Sequence, residues 1–360
     1  MIDAEIGKVV ERVGALNAAR GRAAVRLREA CKAGGLQAHS FDFLDDSLVL
    51  DAGNEPASGR LLSVDGGILA QEFHSLDLFL VRSCGVVFDY ESNFLKSHAY
   101  FPEPFPAYEV FAEDSLLSHE FATYAGLKRL QSELSCALQA AERHSPQAII
   151  LDGSIVPQVT DRPGKDSGIF PEYESALNAY FGLYEWACQN GALLLGVIKD
   201  SRGRHFTNLA LKYYASELAE HSPSLESSND TAFLYSLLKT GERTAAFKYS
   251  SAPSEQLVLR DLGEWSKKIA SFYAKPVEYD RPLRVDLLLD GKDSVSKAAN
   301  LVNGLSQGNR SYAYPAILIE ADLRATLDPS EIEFVCSTLT SKLGMTPELF
   351  ALRRNSRPFR

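Results

Sequence analysis

Cysteine is scarce and poorly placed for a covalent framework. Cys31, Cys84, Cys136, Cys188 and Cys336 stand far apart, form no Cys-x-x-Cys pair and are odd in number. That argues against a disulfide scaffold or a structural zinc site; they read as buried thiols of a reducing cytoplasm. Long apolar runs are missing as well. The longest, such as "ALLLGVI", fall far short of the roughly 20 residues a membrane helix needs, so no membrane role is expected. The opening "MIDAEIGKVV" is acidic and lacks the apolar core of a secretory signal. Basic residues do not predominate: 37 Lys and Arg face 47 Asp and Glu, a net charge of −10. This excludes a generic basic nucleic-acid coat, though not a local basic groove. There is no internal repeat, no low-complexity tract, and no G-x-S-x-G or HExxH pattern to suggest serine-hydrolase or zincin chemistry.

What remains is an ordinary globular composition, 45% hydrophobic and 23% charged. At 360 residues the chain predicts one large elaborated domain or two. Residues 1 to about 34 read as one amphipathic helix with an arginine-rich second half, on the surface or in a dimer contact rather than in a nucleic-acid role. "RLLSVDGG" and "LDLFLVRSCGVVFDY" read as two strands around a turn. The proline-punctuated "YFPEPFPAYEVF" reads as an edge strand. A long helix is expected from about Ser115 to Arg143, where Leu127, Leu130, Leu134, Leu138 and Ala141 recur at helical spacing. Then come the buried strand "QAIILD", a helix around "YESALNAYFGLYEWACQ" and the strand "ALLLGVIKD". The pattern loosens from about 201 to 281, where "SPSLESSND" reads as a loop. A strand "PLRVDLLLD", a helix at 293–306, a strand "PAILIEADL" and a final helix close the chain. Hairpin strands followed by alternating strands and helices predict a mixed α/β sheet.

Several apolar strands end in, or carry, an aspartate: Asp65, Asp152 and Asp322. Strand ends are where functional groups gather in open α/β sheets. Carboxylates brought together there repel unless a cation compensates them, and hard divalent cations want such oxygens. A lone Asp-Gly after a strand is an ordinary turn, but this chain carries the pair twice, in "SVDGG" and "IILDGS". Glu133 falls near the border of the apolar stripe of the long helix. There it either points along the core toward a strand end or is a solvent-exposed glutamate, with Glu120 and Glu142 as rivals. After the strand "ALLLGVI", the cluster "KDSRGRH" crowds Lys199, Arg202, Arg204 and His205. It is either a solvated loop or a grip on backbone phosphates. Tyr314 either packs in the core or stacks on a base, and Arg284 is a further candidate for a phosphate contact.

In order and spacing, "SVDGG…DLFLVRSCGVVFD", "LQSEL", "IILDGSIVPQ", "LLLGVIKDSR" and "YPAILIEADLRATL" resemble the NurA-domain nucleases, as does "DTAFLYSLLKTGERT" at 230–244. The resemblance covers about 60 to 328. It implies an RNase H-like mixed sheet flanked by helices, with an N-terminal helical or dimerisation region at 1–55. The nuclease domain would run over 56–345 with an insertion at about 201–281, followed by a tail at 346–360. It also implies a Mn²⁺- or Mg²⁺-dependent deoxyribonuclease with a two-metal site, acting at DNA ends (5′-to-3′ resection). Such a nuclease would work as a homodimer beside a hexameric HerA-type ATPase in DNA repair or defence. By this resemblance Asp65 and Asp152 are the catalytic aspartates, Glu133 the helix glutamate and Lys199 the lysine after the core strand; Tyr314 and Pro315 match the late tyrosine–proline. Two departures stand out. Gly67 replaces the family's usual serine, and Asp322 falls where many members carry histidine. The rival readings are a non-cutting adaptor of the ATPase and an actin- or sugar-kinase-like ATPase. Retention of the carboxylates weighs against the first. The lack of a glycine-rich adenosine loop weighs against the second.

Overall fold

The computed structural model of the chain describes residues 2–34, 41–74, 76–114, 116–344 and 352. The expected tail at 346–360 lies outside them apart from Leu352. The strands are β1 (Val49–Asp51), β2 (Gly59–Glu72), β3 (Leu76–Glu91), β4 (Phe94–Phe101), β5 (Glu109–Asp114), β6 (Ala148–Asp152), β7 (Leu193–Ile198), β8 (Glu242–Thr244), β9 (Phe247–Lys248), β10 (Ile269–Lys275) and β11 (Leu283–Leu288). The helices are α1 (Ile2–Gly34), α2 (Ser118–His144), α3 (Phe170–Asn190), α4 (His205–Tyr213), α5 (Ala215–Leu218), α6 (Ser222–Glu226), α7 (Asp230–Leu237), α8 (Leu257–Asp261), α9 (Ser294–Leu305), α10 (Ala316–Ala325) and α11 (Pro329–Leu343). The fold is mixed α/β, and no described helix is long and apolar enough to cross a membrane. Two compact units divide the chain: Met1–Ala57, Leu195–Glu255 and Gly263–Ala316 form the first, and Ser58–Leu194, Gln256–Leu262 and Ile317–Arg360 the second.

In the second unit, β2 and β3 pair antiparallel along their whole length, and β6 runs parallel to β2. The parallel strand carries Ala148, Ile149, Ile150 and Leu151 in unbroken succession, all buried, as a strand covered on both faces must. The proline stretch is not itself a strand. Pro102, Pro104 and Pro106 link β4 to β5, and both strands pair with β3 as edges. Proline lacks the N–H that a ladder needs, so pairing stops where the prolines begin. Helix α2 buries Leu127, Leu134, Ala137 and Ala141, following the 3.6-residue period of its apolar stripe.

Two expectations are corrected here. "PAILIEADL" is helix α10, not a strand. Its apolar run Ile317, Leu318 and Ile319 masks a helical set: Ile317, Leu318, Ala321 and Ala325 are the buried residues, and Glu320 pairs with Arg324 one turn on at 2.7 Å. "SPSLESSND" begins with the short helix α6, Pro223 standing in its first turn, where a missing N–H costs nothing.

The first unit orders its strands β1-β8-β10-β11-β7, all antiparallel, with β9 on β10. The basic loop at 199–205 is anchored there by one buried acid. Asp230 accepts hydrogen bonds from the N–H groups of Phe206 and Thr207, the Thr207 hydroxyl and the Tyr273 hydroxyl. It thereby satisfies the first orphan donors of α4. Its own N–H donates to the Gly203 carbonyl, and Thr231 reaches the Ser201 carbonyl. Asp230→Ala removes a fully buried acceptor from four donors. The expected cost is about 1–3 kcal/mol or more, the penalty of leaving buried donors unpaired, read as a fall in urea midpoint. An unchanged midpoint would show that the loop is held by other contacts.

Candidate metal centre

The two aspartates of the sequence pattern become neighbours through strand register. Val64 pairs with Leu151 across the parallel β2–β6 ladder, so Asp65 and Asp152 occupy the next position side by side. Alternation sends both away from the face used by Val64 and Leu151, on strands about 4.8 Å apart. Their backbones differ, however. Asp152 ends β6, and Gly153 turns the chain away at φ +108°, so this Asp-Gly is the turn that the sequence predicts. Asp65 is not at a strand end: β2 continues through Gly66 and Gly67 to Glu72, each paired across to β3.

The third carboxylate arrives from α10. One oxygen each of Asp65, Asp152 and Asp322 lies within 4.8 Å of the others, with the two strand aspartates half-buried and Asp322 exposed. Helix α10 is pinned for this purpose. Glu320 accepts from the Tyr100 hydroxyl at 2.8 Å, and Arg324 lies over the rings of Tyr100 and Phe105. Past its end, Arg82 donates to the Thr326 carbonyl at 3.0 Å and to Glu331.

Gly67 stands against that same helix end. A Cβ there would land on the carbonyl oxygen of Ala325, with the carbonyl carbon 2.9 Å away. Glycine here matches the close approach of α10, and no side chain fits at this position without moving the segment that carries Asp322.

Glu133 is buried rather than exposed, at 3% of its free surface. Its Oε2 accepts from Arg129 Nη1 at 2.9 Å, and the same nitrogen reaches the Gly66 carbonyl at 3.3 Å. Glu133 is outside the three-aspartate cluster, yet shares with Asp152 a cavity of about 90 Å³ also lined by Arg129, Ser154, Gln158 and Asp161. The sequence reading missed Arg129 and Asp161. The i,i+4 spacing of Arg129 to Glu133 was the available signal for the first; Asp161, held at 2.7 Å by the Gln158 N–H, left none.

Without a cation Asp65 and Glu133 resist ionisation. Burial, then the charge of Asp152, pushes Asp65 up to about 6, although the Gly66 N–H donates to its Oδ1 at 2.7 Å. Burial pushes Glu133 up to about 8 against the opposing pull of Arg129. Both groups bind protons more tightly folded than unfolded. Their contribution to stability is therefore full below about pH 4 and lost as pH rises through about 6 and about 8. Metal-free protein is expected to show a falling Tm between pH 5 and 8, and Mn²⁺ to raise Tm more at pH 8 than at pH 5. A thermal series in which Mn²⁺ stabilises equally at both values would contradict this electrostatic account.

The remaining candidates belong to the first unit. Lys199 Nζ sits 4.4 Å from the ring centroid of Tyr314, which is buried and donates to the Val197 carbonyl at 3.3 Å. Arg202 and Arg204 are exposed. Arg284 is turned inward: it meets Asp286 at 2.8 Å and Ser271 at 3.2 Å, and lies over the Tyr249 ring.

A family model described as the NurA domain matches residues 59–327. The chain belongs to the NurA family. Its span takes in Asp65, Glu133, Asp152, Lys199, Arg202, Arg204, Arg284, Tyr314 and Asp322. The NurA nuclease of Sulfolobus solfataricus superposes with a TM-score of 0.55 at 16% identity, over 82% of this chain and 88% of that one. A second NurA structure aligns at a TM-score of 0.50 and 10% identity, over 93% and 97%. A NurA structure with manganese aligns at a TM-score of 0.47 and 10% identity, over 93% and 98%. None of the curated proteins compared with the chain matches its sequence. The fold is thus shared with NurA nucleases.

Proposed function

We propose that the chain is a divalent-metal-dependent deoxyribonuclease that hydrolyses phosphodiester bonds at DNA ends. The observation that carries this reading is the convergence of Asp65, Asp152 and Asp322, from β2, β6 and α10, on one point. All-carboxylate oxygen sets suit Mn²⁺ or Mg²⁺ and give no thiolate or imidazole to favour softer metals. With Glu133 on the adjoining cavity, four carboxylates are at hand for one cation or a pair. A cation held there would supply charge stabilisation at the phosphoryl oxygens and a water of lowered pKa. The chain's own residues do the rest. The Gly66 N–H fixes the rotation of Asp65, the turn at Gly153 aims Asp152, and Arg129 offsets the buried charge of Glu133. Exposed Asp322 leaves one side open to a polymer. No side-chain nucleophile is needed.

Lys199, Arg202 and Arg204 would grip backbone phosphates without reading sequence. Tyr314 would steady the lysine from its buried position. Arg284, committed to Asp286, would support the loop, since Gly203 lies against its guanidinium. The partners in this reading are DNA ends, a second copy of the chain and a hexameric HerA-type translocase. The setting would be cytoplasmic resection in repair or defence. The test is end-labelled linear DNA incubated with Mn²⁺ and the purified chain, alone and with its cognate ATPase. Metal-dependent shortening supports the nuclease, and complete inactivity even beside the ATPase favours the adaptor.

A further inference from the structure

Helix α1 is half packed and half bare. Ala23, Ala24 and Leu27 are buried in one apolar cluster with Phe233, Leu234 and Leu237 of α7. Its first half is not: Ile2, Ile6, Val9 and Val13 are 77%, 55%, 60% and 48% exposed. These residues follow steps of four, three and four, the spacing of a coiled-coil seam. Local propensity does not explain a helix here. Gly7, Gly14 and Gly21 and the β-branched residues are all poor helix formers, so such a segment needs tertiary packing to persist.

We infer that the first half of α1 pairs antiparallel with the same segment of a second copy of this chain. This rests on the homodimer reading and names its surface. The seam is self-complementary. Placing Ile6 opposite Val9 of the partner also sets Ile2 opposite the partner's Val13, and the two-fold axis repeats both layers. Glu5 and Arg12 flank the seam on one side, and antiparallel pairing brings each Glu5 toward the partner's Arg12, twice per dimer. Parallel pairing would instead set Glu5 beside a valine and Arg12 beside an asparagine, so charge selects the antiparallel arrangement. Within its own helix, Glu5 meets the exposed Lys8, a contact that competes weakly.

Sedimentation of the full chain tests this. Wild type is expected to dimerise, and Val9→Asp to raise the dimer dissociation constant by at least about tenfold. Ile6→Ser should act in the same direction, and unchanged circular dichroism would verify that both exposed-site variants fold. Glu5→Arg should weaken the dimer, and Glu5→Arg with Arg12→Glu should restore it. A wild-type dimer indifferent to Val9→Asp overturns the seam while leaving the homodimer reading intact. A wild type that stays monomeric overturns both. Loss of ATPase binding in Val9→Asp with the dimer unchanged overturns the seam and assigns the surface to the ATPase.

Discussion

Asp152→Asn is expected to lower DNA hydrolysis by at least about 10³-fold, since even partners one step removed from a metal typically cost 10–100-fold, while leaving the fold intact. The side chain is half-buried at the end of β6 and close to Asp65 and Asp322. Asparagine keeps its shape and loses its charge, and with that charge goes part of the repulsion that holds the Asp65 carboxyl up near 6. Activity and stability should therefore separate: the metal-free Tm is unchanged or higher at pH 8, and the added stabilisation by Mn²⁺ disappears. A variant that loses activity and also melts well below wild type would mean that Asp152 serves the fold, not a cation. Comparing Tm with and without Mn²⁺ alongside the cleavage rate distinguishes the two.

Gly67→Ser would introduce the serine that the resemblance in the sequence leads one to expect, and here it is expected to inactivate. The new Cβ meets the Ala325 carbonyl, and overpacking of this kind costs about 1–3 kcal/mol. The part that must yield is the end of α10, three residues beyond Asp322. Cleavage should fall by at least about tenfold, because catalytic groups tolerate little misplacement. Gly164→Ser, placed where nothing lies within 4 Å of a Cβ, should behave as wild type. Full activity in Gly67→Ser would show that α10 moves freely and that Asp322 is not held where the three carboxylates meet.

Gly67 also marks where the sequence stops being legible. Its constraint comes from a carbonyl far along the chain, and no local pattern announces it. By contrast, the run Ala148–Leu151 and its terminal Asp152 were readable, because a buried parallel strand is apolar without interruption and its end must turn. The long helix α2 was readable from its leucines. The burial of Glu133 was not: placed at the edge of a stripe, a glutamate falls inside or outside according to whether a counter-charge is at hand. Arg129 one turn earlier supplies it. For α10 the residues misled, since an uninterrupted apolar run with two isoleucines outweighs an Ala321–Ala325 spacing unless the Glu320–Arg324 pair is also weighed. Asp322 was thus read on the wrong element, and its approach to Asp65 and Asp152 could be known only from the folded chain.

The most direct test is a Mn²⁺ titration of the purified chain followed calorimetrically, with Asp65→Asn, Asp152→Asn and Asp322→Asn beside wild type. The three-carboxylate site predicts saturable binding to wild type at pH 8 and its loss or severe weakening in each variant, with every variant still folded. Binding that survives all three substitutions, or a wild type that takes up no Mn²⁺ at all, would contradict it.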